Sequence, residues 1–129
     1  MAQIGYVMLG TNDLARAIAF YDSLLSTLGA THFIESEQGV SWTFGPGSTS
    51  LSIVKPYDKR MATVGNGVMV AIGVAHPNDV DRVHARALEL GARDEGSPGP
   101  RGNSGFYARY FRDLDGNKLN VFCVERCKE

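Results

Sequence analysis

The chain has 129 residues and a formal net charge of −1, with acidic and basic side chains interspersed. No basic patch that could neutralise phosphates is present, so we expect no nucleic-acid partner. No apolar run approaches the ~18 residues of a membrane span, and the start lacks the charged region of a signal peptide, so we expect no membrane partner and a cytoplasmic location. Cys123 and Cys127 are interpreted as reduced thiols.

The first half of the chain predicts one strand, one helix and three further strands. Residues 4–10 form the first strand, and Thr11-Asn12-Asp13 provides an N-cap for a helix. Apolar residues then recur at helical spacing up to Gly29, which is expected to end the helix. The predicted apolar face consists of Leu14, Ile18, Tyr21, Leu25 and Leu28. Three short strands are predicted at about 31–36, 39–45 and 49–55.

The second half repeats this pattern. Residues 68–75 predict a strand, and Pro77-Asn78-Asp79 is typical of a helix start. The apolar face of this helix is expected to consist of Val80, Val83, Ala87 and Leu90. Strands are predicted at about 92–96, 106–112 and 117–124. The Gly/Pro-rich stretch 96–105 is interpreted as a connecting loop, because it lacks the Gly-Lys-Ser/Thr ending of a phosphate-binding loop. A lid is the open alternative, since the stretch leads into the strand that would border the pocket.

The two halves can be aligned with each other. Leu28-Gly29-Ala30 corresponds to Leu90-Gly91-Ala92, an offset of 62 positions. Tyr6 corresponds to Met69 at an offset of 63, and Ser52 to Asn120 at an offset of 68. The sequence therefore predicts an α+β protein made of two tandem βαβββ modules. We expect a single domain over residues 1–129, with modules at about 1–56 and 67–126. Its cupped, mostly antiparallel sheet would carry the helices on the outer face and leave a concave face for a site.

Three stretches carry a resemblance to a known family. They are the strand-to-helix run from Gly10 to Tyr21, the helix end Leu28-Gly29, and the turn from Asp113 to Leu119. In this organisation the chain resembles the vicinal oxygen chelate superfamily, which includes glyoxalase I, extradiol dioxygenases and the bleomycin- and fosfomycin-resistance proteins. The likeness covers nearly the whole chain. It implies the fold, whereas the activities of the superfamily range from isomerases and dioxygenases to non-catalytic sequestering proteins.

The resemblance also implies four positions for the ligands of one divalent metal, two in each module and usually His or Glu. In this chain those positions hold Tyr6, Ser52, Met69 and Asn120. Neutral hydroxyl, amide and thioether groups bind such metals poorly. The sequence therefore predicts no metal and no other cofactor. The three histidines, His32, His76 and His84, do not map to these positions and are expected at surface or boundary sites.

The same four positions would line a pocket on the concave face. Aromatic and basic residues on neighbouring strands are expected to point partly the same way. The candidate pocket residues are Tyr6, Trp42, Ser52, Met69, Tyr107, Arg109 and Asn120. Such a wall favours a planar or largely apolar ligand, and its binding is expected to quench Trp42 fluorescence.

Three functional hypotheses follow. The donor set favours a metal-free protein that binds a small molecule. A metal-free enzyme with Tyr6 as acid or base remains open, and Arg109 would then be the cation that lowers the pKa of its phenol. A metal-dependent lyase, isomerase or dioxygenase of glyoxalase type with other ligands also remains open. We expect a homodimer, because members of this superfamily pair their modules within a chain or across a two-fold axis.

Overall fold

The computed structural model describes residues 2–96, 99–101 and 105–124, with the backbone alone described at 99–101. The chain divides into two compact units, Met1–Val64 and Gly65–Glu129. Each unit contains one helix and one mixed sheet, so the α+β class and the tandem βαβββ modules are confirmed. Neither of the helices in the described residues is long and apolar enough to cross a membrane.

The first unit contains five elements in the predicted order. They are β1 (Tyr6–Gly10), α1 (Leu14–Ser26), β2 (Thr31–Glu35), β3 (Gly39–Thr43) and β4 (Ser50–Val54). The strand order is β1-β4-β3-β2. The β1–β4 pair is parallel, and the other two pairs are antiparallel. The parallel pair brings the first and the last strand of the module together in the sheet.

The second unit repeats these elements and adds a strand. Its elements are β5 (Val70–Gly73), α2 (Pro77–Glu89), β6 (Arg93–Asp94), β7 (Gly99–Arg101), β8 (Phe106–Arg112) and β9 (Lys118–Val124). The strand order is β5-β9-β8-β6, and β7 also pairs with β8. The prediction of a plain connecting loop is therefore wrong for residues 99–101. Residues 97–98 and 102–104 of that loop lie outside the described residues.

Helix α1 begins where the sequence indicates, because the Asp13 side chain caps it by accepting a hydrogen bond from the Arg16 backbone N–H at 3.0 Å. The buried residues of the helix are Ala17, Phe20, Tyr21, Leu24 and Leu25. This strip is rotated from the predicted face, so that Leu14, Ile18 and Leu28 are only half-buried. The helix is apolar over a wide arc, and its two aromatic side chains lie within the buried part.

Helix α2 starts with Pro77 and buries Val80, Val83, His84 and Ala87. The prediction of a surface or boundary position is therefore wrong for His84, of which only 4% is exposed. Its Nε2 lies 3.1 Å from Asp94 Oδ1 and 3.2 Å from the Tyr110 carbonyl oxygen. Both partners are acceptors, so this nitrogen carries the proton and donates. The hydrogen bonds explain how an imidazole is accommodated in the core.

The strand register repeats between the two modules. Met8 lies opposite Ser52 in the β1–β4 pair, and Ala71 lies opposite Asn120 in the β5–β9 pair. These two pairs are related by offsets of 63 on the first strand and 68 on the last, the offsets found in the sequence. The neighbouring register pairs obey the same offsets: Val7–Leu51 with Val70–Leu119, and Leu9–Ile53 with Ile72–Val121. The internal alignment is thus confirmed at single-residue level.

Candidate functional site

Each sheet packs one face against its helix and leaves the other face without a helix, which we call its open face. In the first unit, Tyr6 and Met8 lie on the open face of β1, and Leu9 points to the core. Tyr6 is 62% exposed. Ser50 and Ser52 on β4 lie level with Tyr6 and Met8 and share their face. The structure therefore brings two of the predicted pocket residues, Tyr6 and Ser52, to one surface.

A cavity of about 370 Å³ lies on this open face. Its walls combine apolar side chains with hydroxyl groups, and no charged side chain occurs among the described residues that line it. The lining includes Tyr6, Met8, Phe33, Ile34, Ser41 and Ser52. Two of the hydroxyls, Ser41 Oγ and Ser52 Oγ, are hydrogen-bonded to each other at 2.6 Å. The site is therefore an apolar surface that carries a few fixed polar groups, as is usual for small-molecule sites.

The open face of the second unit holds Asn120, which lies opposite Ala71 on β5 and Tyr110 on β8. Asn120 is only 2% exposed, and its Oδ1 has no hydrogen-bond donor in the described part of the chain. A buried acceptor without a partner costs about 1–3 kcal/mol. Met69 directly precedes β5 and shares the face of Ala71 by strand alternation. The structure thus places Met69 and Asn120 on one face of the second sheet, where Asn120 Oδ1 can accept a hydrogen bond from a donor.

Trp42 lies on the opposite side of its sheet from the cavity. It is 1% exposed, and its indole Nε1 donates a hydrogen bond to Asp22 Oδ1 of α1 at 2.9 Å. Its ring packs against the rings of Tyr21 and His32, with centroids 5.8 and 5.4 Å away. The structure therefore places Trp42 in the core beneath α1, against the prediction that it lines the pocket. Direct stacking of a ligand on the indole is accordingly not expected.

Tyr107 and Arg109 lie on the face of β8 that packs against α2. The Tyr107 hydroxyl and the Arg109 Nε both donate to Asp81 Oδ1, at 2.6 and 2.7 Å. The hydrogen bond to Asp81, followed by burial, raises the pKa of the Tyr107 phenol. Arg109 is thus engaged in an ion pair with the helix, and its predicted role as a pocket cation beside Tyr6 loses its support. Strand alternation would have indicated this, because both residues share the parity of the buried Phe111.

Several lining residues escaped the sequence analysis. Met8 follows from Tyr6 by strand alternation, and Ser41 lies opposite Ser52 in the β3–β4 pair. The sequence pattern did not indicate which face of the sheet Phe33 and Ile34 occupy, because the register of β2 shifts between His32 and Ile34. An irregular strand cannot be assigned faces from its sequence pattern.

The four positions that the family resemblance implies for metal ligands hold residues other than the usual His and Glu. Tyr6 and Ser52 supply neutral hydroxyls, Met69 a thioether and Asn120 an amide, none of which is a strong ligand for Zn, Ni, Fe or Mn. Within the described residues, no group of three or more His, Cys, Asp or Glu side chains could hold a metal ion.

Comparisons with known proteins agree with this architecture. A glyoxalase/bleomycin resistance protein from Albidiferax ferrireducens T118 is 31% identical, with a TM-score of 0.87 over 96% of this chain and 100% of that one. Two more distant structures share the fold. Lactoylglutathione lyase from Agrobacterium tumefaciens is 23% identical, with a TM-score of 0.72 over 95% of this chain and 94% of that one. The fosfomycin resistance protein FosX from Listeria monocytogenes is 17% identical, with a TM-score of 0.72 over 97% of this chain and 95% of that one.

No protein of curated function matches the chain. The model of one family, however, matches residues 3–121, which is almost the full length. The chain therefore belongs to the Glyoxalase/Bleomycin resistance protein/Dioxygenase superfamily.

Proposed function

We propose that this chain is a binding protein for a small, largely apolar organic molecule, and that it binds this molecule without a divalent metal. The observation that carries the proposal is the cavity on the open face of the first unit, which apolar and hydroxyl groups line without any charged side chain. Its volume of about 370 Å³ is in the range of small-molecule sites. The proposal also rests on the weak metal affinity of the groups at the four ligand positions that the family resemblance implies.

The energetics of this cavity favour an apolar ligand. Tyr6, Met8, Phe33 and Ile34 are all more than half exposed, so a ligand that covers them removes apolar surface from water. Each Å² removed contributes roughly 25 cal/mol. The serine hydroxyls in the lining support a further feature, because their oxygens can accept a hydrogen bond from an O–H or N–H group. We therefore expect the preferred ligand to combine a hydrophobic body with at least one hydrogen-bond donor.

Binding is favoured over catalysis because the cavity offers little acid–base chemistry. Tyr6 is the one titratable side chain among the described lining residues. A tyrosine phenol needs a cation nearby to act as a base at neutral pH. Neither lysine nor arginine occurs among the described residues that line this cavity, and Arg109 is paired with Asp81. The lyase, isomerase or dioxygenase alternatives therefore have no group here to carry out a proton transfer.

We also propose that the protein acts as a homodimer in the cytoplasm. Support for the dimer comes from exposed apolar side chains outside the cavity, those of Ile4, Val64 and Val68, which are in contact with water in a single copy. The chain has only two cysteines, which suits a reducing compartment. Sedimentation of the purified protein at micromolar concentration is expected to give twice the chain mass, and a monomer at all concentrations would contradict this part.

The proposal can be tested with N-phenyl-1-naphthylamine, a neutral dye that fluoresces in apolar sites. We expect saturable binding that treatment of the protein with a chelator leaves unchanged. Tyr6→Ala should weaken the binding roughly three- to tenfold, because an exposed aromatic wall is lost. Tyr57→Ala is the matched control, since Tyr57 is 99% exposed and lies outside the cavity. Absence of binding, loss of binding with the chelator, or equal effects of the two variants would overturn the proposal.

A further inference from the structure

A second concavity in the first unit differs from the cavity by its charge. It has a volume of about 430 Å³, and its lining includes the side chains of Lys55, Lys59 and Arg60. No aspartate or glutamate occurs among the described residues that line it. We call this concavity the basic notch. We propose that the basic notch binds the anionic group of an organic ligand whose apolar body lies in the neighbouring cavity; this inference rests on the proposed function.

The three cations of the basic notch, Lys55, Lys59 and Arg60, form no ion pair within the described part of the chain. The nearby Asp58 carboxylate accepts the Arg60 backbone N–H at 2.9 Å and is not among the described residues that line the notch. Other arginines are paired with a carboxylate: Arg82 with Asp79, Arg86 with Glu89, Arg109 with Asp81 and Arg112 with Glu95. Three like charges around one concavity repel each other, and a bound anion relieves this repulsion.

The segment that carries these cations is held in place by Asn12. Its Nδ2 donates to the Ala62 carbonyl oxygen at 3.2 Å, and its Oδ1 accepts from the Ala62 backbone N–H at 2.6 Å. Lys59 adopts φ +65°, a left-handed conformation that is unfavourable for a residue with a side chain. The two hydrogen bonds fix the end of the segment next to Arg60 and Met61. The cations are therefore presented by a defined turn, which lowers the entropy lost when an anion binds.

The position of the basic notch determines the class of ligand. Gln38 lines both the basic notch and the open-face cavity, so the two concavities adjoin each other at this residue. No charged side chain occurs among the described residues that line the cavity, whereas the notch carries three cations beside Leu14, Pro56 and Met61. A ligand that uses both needs a hydrophobic body with one carboxylate, sulfonate or phosphate group at its end. The ligand class is therefore an amphiphilic organic anion.

Two dyes that differ in one charged group test this inference. 8-Anilinonaphthalene-1-sulfonate carries a sulfonate on the aromatic skeleton of N-phenyl-1-naphthylamine. We expect the sulfonated dye to bind about tenfold more tightly at low ionic strength, and this advantage should fall with added salt because exposed charges are screened. The double variant Lys55→Gln with Arg60→Gln should remove the advantage and leave the neutral dye unaffected. Arg82→Gln with Arg93→Gln makes the same change in net charge on the second unit and should leave both dyes unaffected.

Equal affinity for the two dyes, or equal effects of the two double variants, would contradict the proposal that the basic notch binds an anionic group. The notch can also be measured without the cavity, by following the backbone amide resonances of Lys59 and Arg60 during titration with methanesulfonate. Shifts at these amides that Lys55→Gln with Arg60→Gln abolishes support the notch even where neither dye binds, and in that case the proposed function alone fails. Binding of the neutral dye without any methanesulfonate shift retains the proposed function and refutes the notch.

Discussion

The two modules share their strand register. Each module also links its helix to its sheet through one aspartate and one histidine, but the two residue types have exchanged positions. In the first module, Asp22 on α1 contacts His32 on β2, with 2.7 Å between Oδ1 and Nε2. In the second module, His84 on α2 contacts Asp94 on β6, with 3.1 Å between Nε2 and Oδ1. The helix residues are related by the offset of 62 positions, and so are the strand residues. Acid and base have therefore exchanged places between equivalent positions.

The exchange shows that either order of acid and base can form a polar link between helix and sheet at this point. The surroundings decide how much each link contributes. Asp22 also accepts the indole N–H of the buried Trp42, so its carboxylate satisfies a core group. Asp94 has an exposed side chain, and its partner His84 can still donate to the Tyr110 carbonyl oxygen. The link in the first module is thus built into the core, while that in the second has an alternative partner.

The equivalent positions Ser52 and Asn120 give a second contrast. Both are buried on the open face of their sheet. Ser52 forms a hydrogen bond with Ser41, whereas Asn120 Oδ1 has no donor among the described residues. The Ser52 hydroxyl thus has a hydrogen-bond partner within its own module, whereas the Asn120 side-chain oxygen is an acceptor without a donor in the part of the chain that the structure describes. This difference is consistent with a ligand or partner group at Asn120.

The largest expected effect comes from installing metal ligands in both modules. The variant combines Tyr6→His, Ser52→Glu, Met69→His and Asn120→Glu, and it tests the ligand positions that the family resemblance implies: if these positions form one site, the variant gains binding of Zn²⁺ or Ni²⁺. Without metal it should be less stable than the parent, because two carboxylates then lose hydration in a partly buried site. Metal should raise its melting temperature in proportion to metal activity. Thermal unfolding with and without Zn²⁺ measures both effects.

The two halves of this variant serve as its controls. Tyr6→His with Ser52→Glu, and Met69→His with Asn120→Glu, should each bind metal much more weakly than the complete set. If the complete set shows no metal-dependent stabilisation, the four positions do not form one site, and the assignment of the implied ligand positions is wrong.

Removal of the acid from each helix–sheet link should have unequal effects. Asp22→Ala leaves the Trp42 indole N–H buried without its acceptor, and we expect a loss of about 2 kcal/mol in unfolding free energy. Asp94→Ala leaves His84 with the Tyr110 carbonyl oxygen, so the expected loss is below about 1 kcal/mol. Urea unfolding of the two variants gives the comparison. Equal losses would show that the two links contribute alike despite their different surroundings.

The contrast between Ser52 and Asn120 predicts that removal of the two polar groups changes the unfolding free energy in opposite directions. Ser52→Ala removes the hydrogen bond to Ser41 and should cost about 1 kcal/mol. Asn120→Leu removes the unpaired acceptor at similar volume, so we expect the ligand-free protein to keep or gain stability by up to about 1 kcal/mol. Chemical unfolding of the ligand-free variants tests this pair. A clear loss of stability in Asn120→Leu would mean that Oδ1 has a partner in solution.

The smallest expected effect is a pH dependence in the first module. Both ring nitrogens of His32 face carboxylates, Nδ1 towards Glu35 at 2.6 Å and Nε2 towards Asp22 at 2.7 Å. The hydrogen bond to Glu35, followed by that to Asp22, raises the pKa of His32 above 6.5. A raised pKa stabilises the folded state at low pH, and this contribution is lost as the pH rises through the folded pKa. The unfolding free energy of His32→Gln should therefore fall below that of the parent at about pH 6 and approach it at about pH 9. A difference that does not change with pH would contradict this role.

Local signals made most of the fold predictable. The Asp13 cap, Pro77 at the start of α2 and alternation in β9 each follow from the preferences of a few neighbouring residues. The internal repeat predicted which positions of the two modules are equivalent, and the strand register of the structure follows that correspondence. The short strand β7 was missed, since its glycine and proline are typical of loops.

The side of the sheet on which an individual side chain lies was harder to predict than the positions of the helices and strands. Trp42 and Arg109 have the chemistry of ligand-binding residues, and the sequence alone does not show that acids on the helices satisfy them. Their partners, Asp22 and Asp81, lie on helix faces at sequence separations of 20 and 28. Because such contacts depend on how a helix lies on its sheet, they become visible only in the folded structure. The pocket residues Tyr6 and Ser52, in contrast, were assigned from the ligand positions that the family resemblance implies.

The register shift in β2 has a consequence for aggregation. This strand ends the order β1-β4-β3-β2, so one of its sides presents backbone groups that no strand of its own sheet pairs. Phe33 and Ile34 give this edge an apolar character that would suit the addition of a strand from another molecule. The bulge between His32 and Ile34 interrupts the straight ladder that such an addition requires, and the charge of Glu35 opposes it. The irregularity thus protects the edge that carries part of the ligand cavity.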